Sequence, residues 1–453
     1  MRKFFLGLLV ILAAIFGVTY IISNDVTWSF IVLGKTLLMA VQAFMLFTAI
    51  YNGVLGYVGL RKWKKTELVK PKNRFAVLVA AHNEEAVVGG IVRNLKKQNY
   101  PKELYDVYVI CDNCTDKTAE VVRRNGGNAM ERFDDTLRGK GFGLEWMFGK
   151  LWDMEKYGKA YDAVVVFDAD NMASRDFLNV MNAKLEDGYE VVQGYLDSKN
   201  PADTWVTKSY AFVYWSTNRM YQLGRDNLGL SSQLGGTGLM VTTKVLKEIG
   251  WRATSLTEDL EFTQRYILET GKRVSWAHDA VTFDEKPLGL VASMRQRVRW
   301  MAGHFDCAIR YAWPLIKQAV RTRSLVPFDS AMYLLGPLNY VLVGFFMLMT
   351  AVTFLTAGSA ESLKEAIVKS FDSIHPVIYV IFIASNLLLP IIAIYLEKKI
   401  SKIHWLVVSF IFGLTWIPVT IVGLFKRKNT VWAHTKHTRN VDESELDNEL
   451  ECV

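Results

Sequence analysis

The chain has 453 residues, 51% of them apolar, which makes it long enough for more than one domain and too apolar for an ordinary soluble protein. Its net charge of +8 does not point to nucleic acid, because the basic clusters Arg61–Lys65, Arg295–Arg299, Lys317–Arg323 and Lys426–Lys428 all flank apolar segments, where such residues meet anionic lipid headgroups. Four cysteines, at 111, 114, 307 and 452, are too scattered for a disulfide framework.

In chain order, the runs Phe4–Ile22, Trp28–Leu60, Ala331–Leu355, Pro376–Tyr395 and Trp405–Phe425 are each long enough to cross a hydrocarbon core of about 30 Å. No small-x-small cleavage site follows the first, so it reads as a retained anchor rather than a signal peptide. Arg2 and Lys3 before it, and Arg61, Lys62, Lys64 and Lys65 after the second, place the stretch between the two groups of spans in the cytoplasm. Three C-terminal spans would leave Lys426-Arg427-Lys428 outside, against the same charge bias. Gly336-Pro337 makes Ala331–Leu355 the segment most open to an interfacial, re-entrant or double reading. The expected layout is two spans over 1–60, a cytosolic domain over 61–288, amphipathic interfacial helices over 289–330, further spans over 331–425 and a polar tail over 426–453.

The cytosolic stretch alternates strand and helix. Arg74–Ala81 is β-rich and ends in His82-Asn83-Glu84-Glu85, and helical spacing follows over Ala86–Gln98. The pattern repeats in Tyr105–Asp112 before Thr115–Asn125, and in Ala163–Asp168 before Ser174–Asp187. It predicts a mostly parallel, doubly wound α/β sheet whose ligand lies beyond the carboxyl ends of its strands. Asn83-Glu84, Asp112 and Asp168-Ala169-Asp170 would gather there. No Gly-x-Gly-x-x-Gly or Walker-type loop follows these strands, so dinucleotide and P-loop readings lose their support.

Asp168-x-Asp170 suits a hard divalent cation that takes its remaining oxygens from phosphate, although two acids at a strand end also serve to cap the next helix. Thr257-Glu258-Asp259 opens a helical run over Leu260–Thr270. Helix capping explains it, and so does a general base held beside a sugar hydroxyl. Gly235-Gly236-Thr237-Gly238 leaves room for backbone to approach a ligand, or makes a turn. Met294, Val298, Met301, Phe305 and Ile309 share one stripe of an amphipathic, interfacial helix. That stripe does not account for Trp300 beside Arg299 and Gln296: an indole offers a flat stacking surface for a sugar ring, and a guanidinium can hold a pyrophosphate bidentately.

Asp112, Asp168-Ala169-Asp170, Thr257-Glu258-Asp259 and Gln296-x-x-Arg299-Trp300, in this order between apolar spans, resemble the membrane-embedded family 2 glycosyltransferases, which include cellulose, chitin, hyaluronan and poly-N-acetylglucosamine synthases. The likeness covers roughly residues 30 to 330. It implies a GT-A-like fold that binds a nucleotide sugar, usually a uridine diphosphate sugar, with Mg²⁺ or Mn²⁺, and inverts the anomeric centre. On that pattern Asn83, Glu84 and Asp112 contact uracil and ribose, Lys140 in "RGKG" the diphosphate, and Asp168 and Asp170 the metal. Asp259, beside Glu258, is the base, Gln296 and Arg299 hold the diphosphate, Gly236 lies at the donor, and Trp300 underlies the acceptor.

The stretch "YVICDNCTDKT" then reads as a strand end carrying Asp112, with Thr115 or Asp116 starting the next helix, rather than as a redox dithiol or half a zinc site. The leading expectation is a processive synthase that passes a β-linked polymer through its own spans. A lipid acceptor is the second, since ceramide glucosyltransferases resemble this arrangement too. A non-catalytic glycan-binding or transport protein is the third, opposed by the intact acids. Thr-Glu-Asp leans towards glucose or N-acetylglucosamine as donor. The 28 residues after Phe425 are too few for a cyclic-dinucleotide-binding barrel. Linkage and oligomeric state stay open.

Overall fold

The computed structural model describes residues 14, 16–252, 254–356, 380 and 384–428. Most of Phe4–Ile22, part of Pro376–Tyr395, Cys452 and the tail beyond 428 lie outside them. The chain divides into two compact units, Met1–Val54 with Gly336–Leu388, and Leu55–Leu335 with Leu389–Val453. Among the described residues three helical stretches are long and apolar enough to cross a membrane: Val26–Gly59, Leu325–Met349 and Trp405–Lys426. The second is interrupted at Gly336-Pro337, between the helices Leu325–Leu335 and Leu338–Thr356.

Within the first unit, Thr48 Oγ1 donates to Asn339 Oδ1 at 3.1 Å, tying the helix Val26–Gly59 to the helix Leu338–Thr356. This is how a hydroxyl and an amide are satisfied in an otherwise apolar helix pair.

The second unit is built on one sheet of strands β1 (Phe75–Ala81), β2 (Tyr105–Asp112), β3 (Asn128–Arg132), β4 (Ala163–Asp168), β5 (Met172–Ala173), β6 (Val191–Ser198), β7 (Leu239–Thr242) and β8 (Ser275–Asp284). Their order is β3-β2-β1-β4-β7-β6-β8-β5. β1 to β4 run parallel, β6 and β8 pair in parallel, and β7 and β5 are antiparallel to their neighbours. Both faces of β1 are covered. Phe75, Val77, Val79 and Ala81 join one core with Val88, Ile91, Phe177 and Met181, and Ala76 and Leu78 join another with Leu144, Met147, Phe262 and Tyr266. Strands buried on two faces read as continuous apolar runs, and "FAVLVAA" and "AVVVFD" do.

Register brings the polar strand ends into line. Ala81 lies opposite Cys111, Asp112 opposite Arg132, and Ala80 opposite Asp168. The loops after β1, β2 and β4 therefore open on one edge of the sheet. The expected strands are present to within a residue. The helices are shorter at both ends: Val88–Lys96, Thr118–Arg124 and Phe177–Glu186 replace Ala86–Gln98, Thr115–Asn125 and Ser174–Asp187. In the second of these the Asp116 carboxylate takes the Thr118 N–H at 3.0 Å, so neither Thr115 nor Asp116 is the first helical residue.

The helix Leu290–Thr322 carries Gln296, Arg299 and Trp300. Its stripe Met294–Val298–Met301–Phe305–Ile309 is covered in part by protein: Phe305 is buried, and a Cβ on Gly423 would stand 2.5 Å from Met301 Cβ. On a neighbouring face Arg297 is fully buried, its guanidinium 4.0 Å from the Phe412 ring centre and its Nη1 donating to Thr415 Oγ1 at 2.9 Å. A helix that packs this way locks the C-terminal helices onto the sheet domain.

Candidate active site

Three loops meet at the edge where β1, β2 and β4 end. After β1, Asn83 adopts a left-handed backbone, φ +55°, which asparagine tolerates better than most residues. Its Oδ1 accepts the Thr115 N–H at 2.7 Å and its own N–H points at Cys114 Sγ, 3.4 Å away. The Glu84 N–H is held by Thr118 Oγ1 at 2.9 Å. Cys111 and Cys114 are free thiols at this junction, one on the strand and one accepting from the Asn83 loop. Asp112, nearly buried, is clamped by Arg132, whose Nη1 donates to Asp112 Oδ1 at 2.6 Å. Arg132 also reaches Asp134 Oδ2 and the Leu137 carbonyl, so it ties the strand end to the loop before Lys140.

Lys140 is the first residue of the helix Lys140–Lys156. Its Nζ donates to Asp168 Oδ1 at 2.5 Å and to the Gly236 carbonyl at 2.6 Å. Burial works against its charge, but Asp168, Glu258 and Asp259 outweigh that and hold its pKa above the ordinary lysine value. Gly236 sits at φ +82°, and a Cβ built on it would stand 3.4 Å from Asp259 Oδ2. The glycine turn, the lysine and the Thr-Glu-Asp motif therefore close on one spot. Asp170 is buried, its Oδ2 taking the Glu285 N–H at 2.9 Å and its carbonyl the Lys199 ammonium at 2.8 Å.

Thr257 does not cap the helix Glu258–Thr270 with its side chain. Capping by Thr257 is thus removed as the reason for the motif, and what remains is two acids at a helix start, facing Lys140. Burial raises the Asp259 carboxyl, opposed by the Leu260 N–H and Lys140. Glu258 is pushed up to about 7 by burial and then by Asp259, with Lys140 pulling the other way. Arg299 is held below the usual arginine range by burial, against the pull of Glu258, Asp168 and Asp259. The guanidinium is thus electrostatically coupled to the same three acids.

The raised Glu258 carboxyl has a consequence for stability. An unfolded glutamate releases its proton near 4.5 and the folded one near 7, so stability falls as pH rises across that window and stays reduced above it. Glu258→Gln is expected to raise the unfolding midpoint at about pH 8 and to leave it unchanged below about pH 4. A midpoint at pH 8 no higher than that of the unaltered chain would contradict this.

Gln296 and Trp300 lie together on the next wall. Tyr210 OH donates to Gln296 Oε1 at 3.4 Å, and the Tyr210 and Trp300 rings meet edge to face, 6.4 Å between centres. The Trp300 ring leans on a small cluster of Val206, Tyr210 and Phe412.

Among the described residues no three His, Cys, Asp or Glu side chains stand close enough to form a metal cage by themselves. The donor set at Asp168 and Asp170 still fits a hard divalent cation, which is commonly held by one or two carboxylates with water and phosphate completing its shell. Asp284 adds a third acid to the neighbourhood. Burial raises its carboxyl, and Asp170 and Asp168 raise it further against the nearby Lys286. Arg132, Asp284 and Tyr210 are neighbours of the candidate site residues that motif spacing did not indicate. Register with Asp112 marks the first, the end of β8 the second, and the third lies on the helix Trp205–Thr217, which carries no motif.

Residues 71–303 match the family described as glycosyltransferase like family 2. The chain belongs to that family. A probable glycosyltransferase, YdaM, of Bacillus subtilis is 23% identical over 80% of this chain and 84% of its own length. A poly-beta-1,6-N-acetyl-D-glucosamine synthase of Staphylococcus epidermidis is 22% identical over 84% of this chain and 90% of its own. A beta-monoglucosyldiacylglycerol synthase of a Nostoc species is 29% identical, but the match spans only 57% of this chain and 56% of that protein. Among solved structures, a mannosyltransferase of Pyrobaculum calidifontis in complex with GDP-mannose and Mn²⁺ superposes with a TM-score of 0.52 at 14% identity, covering 83% of this chain and 97% of that one. The sheet order and this likeness make the fold GT-A-like, and the chain is a glycosyltransferase.

Proposed function

We propose that this glycosyltransferase takes a uridine diphosphate sugar, glucose or N-acetylglucosamine, and adds it with inversion to the end of a β-linked polysaccharide that it carries across the membrane. The observation that carries the reading is the closure of Lys140, Asp168, Gly236 and Asp259 on one spot at the sheet edge, with Glu258 and Arg299 coupled to it electrostatically. Such a cluster combines an acid able to take a proton with cations able to hold a departing diphosphate.

In this reading Asn83, Glu84 and Asp112 receive the nucleoside, with Arg132 fixing the Asp112 carboxylate. Lys140 lets go of Asp168 and turns to the diphosphate, and Gln296 and Arg299 hold the same group from the other side. A bound Mg²⁺ or Mn²⁺ on Asp168 and Asp170 would neutralise charge that builds on the diphosphate. Asp259 takes the proton of the acceptor hydroxyl, which attacks the anomeric carbon from the face opposite the leaving diphosphate. One displacement inverts that centre, and no covalent enzyme intermediate forms. Glu258, pushed up to about 7, is only partly ionised near neutral pH and so carries less than a full charge beside Asp259.

The polymer reading is supported by a likeness to a polysaccharide synthase that covers 84% of this chain and 90% of that protein. The basic residues after the helix Val26–Gly59 support a cytoplasmic catalytic face. The second reading, a lipid acceptor, is favoured by the 29% identity to a glucosyldiacylglycerol synthase over 57% of this chain. Purified chain incubated with labelled donor, Mg²⁺ and either short glycans or diacylglycerol distinguishes them by product length and solubility. A single sugar on lipid, with no chain growth, would overturn the polymer reading.

Trp300 offers a sharper test of the acceptor site. Trp300→Ala is expected to lower sugar transfer roughly tenfold more than the slow hydrolysis of donor by water, because water needs no stacking platform. Trp300→Phe should lie between. A parallel fall in both rates, following a lower unfolding midpoint, would make Trp300 an anchor of its helix and withdraw the acceptor role.

A further inference from the structure

We propose that Glu261 and Gly303 are positioning residues, which fasten the segment leading into Asp259 to the helix that carries Arg299 and so fix the spacing of base and diphosphate clamp. The inference rests on the catalytic roles just given to Asp259 and Arg299.

Gln296, Arg299, Gly303, Cys307 and Arg310 follow one another at steps of three and four along the helix Leu290–Thr322, and so share one side of it. From Gly303 onward this stripe lies against residues 254–261. A Cβ on Gly303 would stand 2.4 Å from Thr257 Oγ1, 2.7 Å from its Cγ2 and 2.9 Å from its backbone nitrogen. Only a glycine lets the helix come this close to the residue that opens the Thr-Glu-Asp motif. Ser255 Oγ reaches the Gly303 carbonyl at 3.5 Å, and Cys307 Sγ lies 3.7 Å from Ser255 Oγ.

One turn further on, Glu261 closes the contact. It lies on the same helix as Asp259, but its carboxylate turns back onto the loop that precedes the helix. Its Oε2 accepts the N–H groups of Thr254 at 3.0 Å and Ser255 at 2.8 Å. Its Oε1 accepts Thr254 Oγ1 at 2.6 Å, Arg310 Nη1 at 2.6 Å and the Tyr311 hydroxyl at 3.0 Å. Arg310 is held in turn by Asp306, 2.5 Å from Nη2. The carboxylate is buried and both its oxygens are engaged, so it has no capacity left for substrate. What it does is hold a loop, a helix start and a second helix at one separation. Asp259 and Arg299 ride on these elements, two residues from Glu261 and one turn from Gly303. A shift of about 1 Å at this joint is enough to spoil a reaction that depends on a diphosphate held opposite an incoming hydroxyl.

The test uses the full chain in detergent or nanodiscs, with donor turnover, donor KM and thermal unfolding measured on the same samples. Glu261→Gln and Gly303→Ala are expected to lower kcat about tenfold or more while donor KM stays within about threefold, because the nucleoside loops are untouched. Arg310→Lys keeps the charge at the half-exposed end of the joint and should regain part of the kcat that Arg310→Ala loses; it also covers the case in which Glu261→Gln fails to fold. If kcat in the folded variants stays within twofold of the unaltered chain, or falls only in proportion to the folded fraction, the positioning role is overturned. Asp259→Asn run alongside separates the two levels. Turnover retained in that variant overturns the catalytic reading itself, whereas turnover lost there and kept in the Glu261, Gly303 and Arg310 variants overturns the positioning role alone.

Discussion

Asp259→Asn is expected to bind nucleotide sugar almost normally and to turn over about 10²-fold more slowly or worse, since general-base assistance is typically worth that much. The substitution is nearly isosteric and leaves the helix Glu258–Thr270 its start, because Thr257 contributes no side-chain cap and the preceding loop is held by Glu261 instead. What it removes is a carboxylate beside Lys140 and the Gly236 turn. Burial raises the Asp259 pKa, which makes the ionised form a better base while the opposing Lys140 and Leu260 N–H keep that form accessible. The measurement is release of uridine diphosphate at saturating donor, with donor affinity determined separately by calorimetry. Turnover near that of the unaltered chain would return Asp259 to a purely structural place at the helix start.

Much of the sheet was legible because its central strands are buried on both faces. "FAVLVAA", "VYVIC" and "AVVVF" are unbroken apolar runs, followed by His82-Asn83-Glu84, Asp112 and Asp168, and those endings lie at the candidate site. β3, "NAMER", is an edge strand of which only Arg132 is buried, and periodicity carries little trace of it. Arg132, the partner of Asp112, is hidden with it. β7 has four residues, and β8 interrupts its apolar pattern with His278 and Asp279, the latter held by the backbone and hydroxyl of Thr66. Such tertiary partners are not visible along the chain.

The Gln-x-x-Arg-Trp segment shows the opposite difficulty. Its apolar stripe is consistent with an interfacial helix, yet the helix packs against the helices Leu325–Leu335, Glu258–Thr270 and Trp416–Lys426 within its unit. An apolar face has the same composition whether lipid or protein covers it. Gly303 held the missing clue, a helix-interior glycine that costs about 1 kcal/mol of helix propensity and is justified by the close approach of Thr257.

Asp170→Asn should abolish the stabilisation that Mn²⁺ and nucleotide together confer, and should lower turnover by about 10²-fold or more through weakened binding as well as slower reaction. Asparagine is the informative choice. Asp170 Oδ2 accepts the Glu285 N–H, so alanine would leave that backbone donor unanswered at the end of β8 and confuse a folding defect with a lost ligand. Asparagine keeps an oxygen for Glu285 and removes the charge, giving up besides it only the long Asn171 Nδ2 bond to the other oxygen, 3.3 Å. The two roles then differ in sign. Asp168, Asp170 and Asp284 lie close enough that the first two help keep the Asp284 carboxyl above its ordinary value, after burial. Relief of that repulsion should leave the metal-free variant as stable as the unaltered chain or more so. A cation that needs the Asp170 charge should meanwhile no longer raise the unfolding midpoint. Thermal unfolding with and without Mn²⁺ and uridine diphosphate reads both effects without reference to turnover. An unchanged upward shift on adding metal and nucleotide would take Asp170 out of the metal site, and a metal-free variant that unfolds well below the unaltered chain would make its bond to Glu285, rather than its charge, the reason for an acid at this position.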